Sequence, residues 1–188
     1  MHSICCGSEA KYFNGYTNIK DGKMINFLLK GIMDINEKIR NAILFNLLSY
    51  MQHRMLTVGR TYGMVDELHA FLSYMTAIMY LRAMVKQNRK KDSGLLLATQ
   101  NVEDMMLPGV KEYTKPLLSI PTHQFLFYPG IVSADDFIDT LQLDPAEYQL
   151  ISRPSRSHCL YRCGNERYLL KVIAPEYKST LFGKGGGR

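Results

Sequence analysis

Three polar residues stand where proteins of alternating strands and helices do chemistry. Asp66 and Glu67 directly follow the apolar string Thr61-Tyr-Gly-Met-Val65, and Gln100 follows Leu95-Leu-Leu-Ala98 by one residue. An apolar strand that delivers Asp-Glu to its carboxyl end has the pattern of a Walker B motif. There the Asp holds the Mg²⁺ that bridges the outer phosphates, and the Glu takes a proton from attacking water. A Gln at the end of the next strand can sense the γ-phosphate or orient that water. Each has a plainer reading as well: two acids at a helix start complement its dipole, and a polar residue caps a strand end.

The matching phosphate loop is missing from the sequence. A Walker A motif needs G-x-x-x-x-G-K followed by Ser or Thr. Gly22-Lys23 is followed by Met24, with Thr17 where the first Gly belongs, and Gly183-Lys184-Gly185 follows no sheet strand that could feed a helix. Without that backbone cradle and its lysine, the chain alone is expected to bind nucleotide poorly. Arg89, in Asn88-Arg89-Lys90-Lys91, closes the helix expected after the acidic pair. Its guanidinium either complements that helix's dipole or reaches the nucleotide of a neighbouring subunit as a finger in trans. His69 completes Asp66-Glu67-Leu68-His69, a string similar to the box of DExH helicases, and caps or packs in the plainer reading. His158, Cys159 and Cys163 fall in an expected hairpin without a second ligand pair, so a metal is not expected there.

The elements that must position these residues follow from apolar spacing. The run 24–29 after Asp21-Gly22 suits a buried strand. Ile35, Ile39, Ile43, Leu47, Met51 and Met55 predict a helix over 34–56 with one wide apolar stripe. A strand over 61–65 leads to a long helix over 67–91, with Leu68, Phe71, Leu72, Met75, Ile78, Met79 and Val85 inward. Asp92-Ser93-Gly94 breaks the pattern before a strand over 95–98. A helix over 102–119, punctuated by Pro108-Gly109, and a strand over 124–128 come next. Ser133 with Asp136, and Asp144-Pro145-Ala146-Glu147, read as helix starts, and Gly164-Asn165 reads as a hairpin turn. Alternation of this kind predicts an α/β fold with a parallel sheet covered on both faces and ligands beyond the carboxyl ends of its strands.

Composition sets the outer limits. With 188 residues and 46% hydrophobic content, the chain suits one domain. A net charge of +6 favours anionic partners such as nucleotide, nucleic acid or a membrane surface. Four cysteines without paired C-x-x-C spacing fit a reducing cytoplasm. Polar residues interrupt every long apolar run, so any membrane contact is expected to be peripheral. Residues 1–11 and 175–188 are expected to be frayed tails, with the fold held by 12–174.

Four strings resemble those of conjugal-transfer ATPases of type IV secretion systems, the VirB/TraE-type motors of the HerA/FtsK group. They are Tyr12-Phe13-Asn14-Gly15-Tyr16-Thr17-Asn18, Tyr62-Gly63-Met64-Val65-Asp66-Glu67-Leu68-His69, Thr99-Gln100-Asn101-Val102-Glu103-Asp104 and Gln124-Phe-Leu-Phe-Tyr128. The resemblance runs from about Tyr12 to Ala174. It implies a RecA-like fold, ATP and Mg²⁺ as ligands, and hexamers at the inner face of the cell membrane. These would work with other secretion components to power DNA or protein transfer. It further implies that Asp66 and Glu67 are the Walker B pair, Gln100 the sensor and Arg89 the basic residue before the sensor strand.

Such motors also carry an amino-terminal domain, a P-loop and a helical insertion, all expected upstream of Met1. The chain would then be a carboxyl-terminal piece, inactive by itself. Where relatives often place a second Arg, two positions before Arg89, this chain has Gln87. Two other readings stand beside the motor. One is a DExH-type helicase fragment, against which Thr99-Gln100-Asn101 argues; the other is a non-catalytic interaction module of the secretion assembly.

Overall fold

The computed structural model describes residues 5–8, 10–16, 20 and 22–183, apart from the side chains of Met33 and Arg89. Asp21 of the first turn signal, Thr17-Asn18, residues 1–4 and 9, and residues 184–188 of the expected tails lie outside the described residues. The chain divides into two compact units, Met1–Met51 and Gln52–Arg188.

In the first unit a 3-10 turn spans Ala10–Tyr12. The strand expected over 24–29 does not form. The segment has no ladder, and Met24 and Leu28 are 90% and 84% exposed. An apolar run supplies β-propensity, but a strand exists only when a partner takes its backbone N–H and C=O groups. A single turn, α1 (Lys30–Met33), precedes the long helix α2 (Glu37–Thr57), which runs on into the second unit. Asn36 sets the start of α2, because its Oδ1 accepts from the Lys38 amide at 2.9 Å. Ile39, Leu44, Leu48 and Met55 are its buried residues, while Ile43, Leu47 and Met51 are half-buried. A strict four-residue repeat drifts by about 40° per step around a helix, so the buried line has to leave the predicted stripe.

The second unit holds two sheets. Strands β1 (Tyr62–Val65) and β2 (Gly94–Leu97) pair in parallel, Tyr62 against Gly94 through Val65 against Leu97. Gly63 and Val65 are buried, whereas Tyr62, Met64 and Leu96 are exposed. The single helix expected over 67–91 is replaced by three pieces. They are a 3-10 turn (Leu68–Phe71), α3 (Met75–Gln87) and a second 3-10 turn (Asn88–Lys91). Leu68, Phe71, Leu72 and Ile78 are buried as expected, but Met75 and Met79 are 45% and 61% exposed. With the chain broken before Met75, α3 turns Ala77, Ile78, Leu81 and Met84 inward instead. Helix α4 (Glu103–Met106) and helix α5 (Lys111–Ser119) divide at Pro108-Gly109 as expected. Buried Thr114 ties them together by donating to the Met105 carbonyl at 2.6 Å.

Strand β3 (His123–Leu126) does not extend the parallel sheet. It pairs antiparallel with β4 (His158–Cys163), which forms a hairpin with β5 (Glu166–Lys171) across Gly164-Asn165. Packing gives the reason. Leu126 lies opposite Leu160 and joins the cluster of Phe137, Leu141, Leu143, Ile151 and Leu160, which the antiparallel pairing brings together. On these strands Tyr161 stacks on Phe125 at 4.7 Å and on Tyr168 at 6.1 Å, a cross-strand ladder of rings.

Helix α6 (Ala134–Leu141) and helix α7 (Pro145–Gln149) begin where the sequence places them. Ser133 makes no side-chain cap, while Asp144 and Glu147 form a full capping box. Arg162 donates to the Leu141 carbonyl at 2.6 Å at the end of α6. Burial, and next the neighbouring Arg167, hold its guanidinium below the ordinary range against a smaller upward pull from Glu147. A last helix, α8 (Glu176–Phe182), lies in the expected tail. Leu160 is 1% exposed within the cluster. Leu160→Ala should therefore cost about 2–5 kcal/mol, seen as a lower urea midpoint at unchanged slope.

Candidate functional site

Parallel pairing brings the carboxyl ends of β1 and β2 side by side, and the two predicted polar sequences leave from there. The ladder continues one rung past the strands: the Ala98 amide donates to the Val65 carbonyl at 2.9 Å. The Ala98 carbonyl then accepts from the Leu68 amide at 2.9 Å. Leu68 and Phe71, 2% and 5% exposed, anchor the turn that follows. Between these fixed points the backbone passes Asp66 and Glu67 in two residues.

The tight passage shows at Glu67, which takes φ 51°, ψ 49°, the left-handed region that costs a non-glycine residue roughly 1–2 kcal/mol. Nothing in the sequence signals this, since Gly, Asn and Asp are the usual occupants. The Glu67 amide donates to Asp66 Oδ1 at 2.9 Å, and Asp66 is exposed. Gln100 Nε2 donates to Glu67 Oε1 at 2.6 Å, across 33 residues of sequence. The Thr99 hydroxyl turns the chain beneath Gln100, accepting from the Asn101 amide at 3.3 Å.

His69 stands on the other side of Glu67. Its Nδ1 lies 3.3 Å from Glu67 Oε2, within ion-pair distance. Nδ1 is shut off from solvent and has no hydrogen-bond partner, so the contact is close but not aligned as a hydrogen bond. The sequence offers His69 as the end of a DExH-like string or as a residue that caps or packs, and neither reading places it against the Glu67 carboxylate.

Asp66, Glu67 and Gln100 are thus together, and Arg89 is apart from them. Its backbone lies in the 3-10 turn before β2, at the amino end of that strand, and its side chain lies outside the described part. Four strand residues, about 13 Å, separate that end from the one carrying Gln100. Among the described residues no group of three or more His, Cys, Asp or Glu side chains could hold a metal. Mg²⁺ does not need one, because it keeps several waters and binds through one or two carboxylates plus phosphate oxygens. The exposed carboxylate of Asp66 at a strand end fits that role.

No family model and no curated protein matches the sequence. Among solved structures, VirB4 of Thermoanaerobacter pseudethanolicus aligns with 94% of this chain at a TM-score of 0.79 and 26% identity. The alignment takes in 49% of that chain, so this chain spans about half the length of the protein it matches. The fold expected from the resemblance is therefore observed: mixed α/β, with a parallel strand pair and a carboxyl-terminal hairpin. Among the described residues no helix is long and apolar enough to cross a membrane.

At the amino ends of the same strands the register leaves no room beside Tyr62, because a Cβ added to Gly94 would stand 2.7 Å from the Tyr62 ring. The cost of Gly94→Ala should fall by about 1 kcal/mol in a Tyr62→Ala background, as read from a double-mutant cycle of urea unfolding.

Proposed function

We propose that this chain is the portion of a type IV secretion motor ATPase that supplies Asp66, Glu67 and Gln100 to ATP. The P-loop that cradles the phosphates is absent from these 188 residues. One observation carries the reading. A Glu and a Gln from the ends of adjoining parallel strands meet at 2.6 Å in a chain with the fold of VirB4.

Each residue then has a task. Asp66 would hold Mg²⁺ through water, and the ion's charge would offset that developing on the phosphates. Glu67 accepts a proton from water as the water oxygen bonds to the terminal phosphorus. The bond to the bridging oxygen breaks, and ADP and phosphate leave. Gln100 gives up its bond to Glu67 and turns its amide to the water or the γ-phosphate. Arg89, placed at the far end of β2, serves a nucleotide held by a neighbouring copy in a hexamer. The assembly works at the inner face of the cell membrane with other secretion components and moves DNA or protein in conjugation. The +6 charge of the chain is compatible with DNA as a direct partner.

Calorimetric titration with Mg²⁺-ATP tests the split. The chain alone should bind weakly, whereas a chain joined to a P-loop-bearing half should bind and hydrolyse. Glu67→Gln in that joined protein should lower turnover by about 10²–10⁴-fold with binding retained. Tight binding by the 188 residues alone would show that they hold a phosphate cradle of their own. An inert joined protein would favour a non-catalytic docking module.

A further inference from the structure

Resting on the ATPase reading, we infer that His69 is a positioning residue for Glu67. It anchors one carboxylate oxygen while Gln100 holds the other until water arrives. The geometry divides the carboxylate between two partners, with Gln100 Nε2 at 2.6 Å from Oε1 and His69 Nδ1 at 3.3 Å from Oε2. Both partners come from rigidly placed turns. The Leu68 amide bonds to the Ala98 carbonyl, the Leu72 amide bonds to the His69 carbonyl at 3.1 Å, and Leu68 and Phe71 of the same turn are buried.

The two contacts differ in a way that suits different tasks. Gln100 is an exposed residue, so its side chain is free to exchange one partner for another in water. The Nδ1 of His69 is closed to solvent and lacks a hydrogen-bond partner, so Glu67 Oε2 is the acceptor within its reach. In the tautomer that carries its proton on Nδ1, that nitrogen is a buried donor without a partner, and a small rotation of Glu67 satisfies it. When Gln100 releases Oε1, the contact with His69 keeps the carboxylate from swinging away. Oε1 then faces the space that Gln100 has vacated. The left-handed backbone at Glu67 fixes the base of the side chain, and His69 fixes its tip.

Asn and Leu are nearly equal in shape, and only Asn carries an N–H near the position of Nδ1. The test therefore compares His69→Asn with His69→Leu in the full chain without nucleotide. The first readout is the side-chain amide resonance of Gln100 in a ¹⁵N-labelled sample. The second is a urea double-mutant cycle of each variant with Glu67→Gln.

H69L should shift or broaden the Gln100 amide signal and H69N should leave it near its original position. H69L and E67Q should also be non-additive by roughly two- to tenfold in the unfolding constant. Equal behaviour of H69N and H69L, whether both perturbed, both silent or both unfolded, overturns the assignment and leaves His69 as packing. In the protein joined to a P-loop half, H69L should lower kcat by about ten- to a hundredfold at unchanged KM, with H69N recovering most of it. If E67Q leaves turnover intact there, the ATPase reading fails while the His69–Glu67 coupling is still measurable in the free chain. The two failures are thereby distinguishable.

Discussion

The site depends on the backbone of one residue. The amide of Ala98 donates to Val65 and its carbonyl accepts from Leu68, so a single rung ties the exit of β1, the exit of β2 and the first turn after the acidic pair. The two bonds leave from the adjacent peptide planes that meet at the Ala98 Cα, so the backbone at Ala98 is held from both sides. That constraint explains the left-handed Glu67. Two residues carry the chain from the last rung of β1 back to a hydrogen bond with Ala98, and Glu67 makes that turn in the left-handed region. The strain is local and is outweighed by the burial of Leu68 and Phe71 just beyond it.

The energetics divide scaffold from site. Residues that hold the geometry, Val65, Leu68, Phe71, Ile78 and Leu81, are buried, whereas Asp66 and Gln100 are exposed and Glu67 is half-buried. An exposed contact such as Gln100 to Glu67 contributes on the order of 1 kcal/mol or less, because water competes for both partners. Position therefore comes from the backbone, and the side-chain contact reports it without creating it. Under the proposed sensor role Gln100 has to part from Glu67 when substrate arrives, and a weak contact between strongly held backbones meets that requirement.

How much of this was legible in the sequence varies with the range of the forces involved. The two parallel strands and the polar residues at their ends were readable, because an apolar run flanked by turn residues carries its own signal. The broken helix after Glu67 was not. Leu68, Phe71, Leu72, Met75, Ile78 and Met79 fit one continuous helical face, and the break comes from a hydrogen bond to Ala98, thirty residues away in sequence. Strand β3 was visible as a strand but not as a partner of β4, since its side-chain pattern records a buried face and not which sheet buries it. The run at 24–29 has strand composition yet no ladder. The contact of His69 with Glu67 depends on the 3-10 turn, so a continuous helix from Glu67 onward hides it.

Arg89 shows how topology constrains mechanism before any ligand is considered. In a parallel pair joined by a helical crossover, the end of the crossover and the end of the second strand lie at opposite ends of that strand. Arg89 closes the crossover and Gln100 follows the strand, so their backbones stand a strand length apart. A fully extended Arg side chain reaches about 7 Å, short of that span. If Arg89 meets a nucleotide, the nucleotide belongs to another copy whose site faces the amino end of β2.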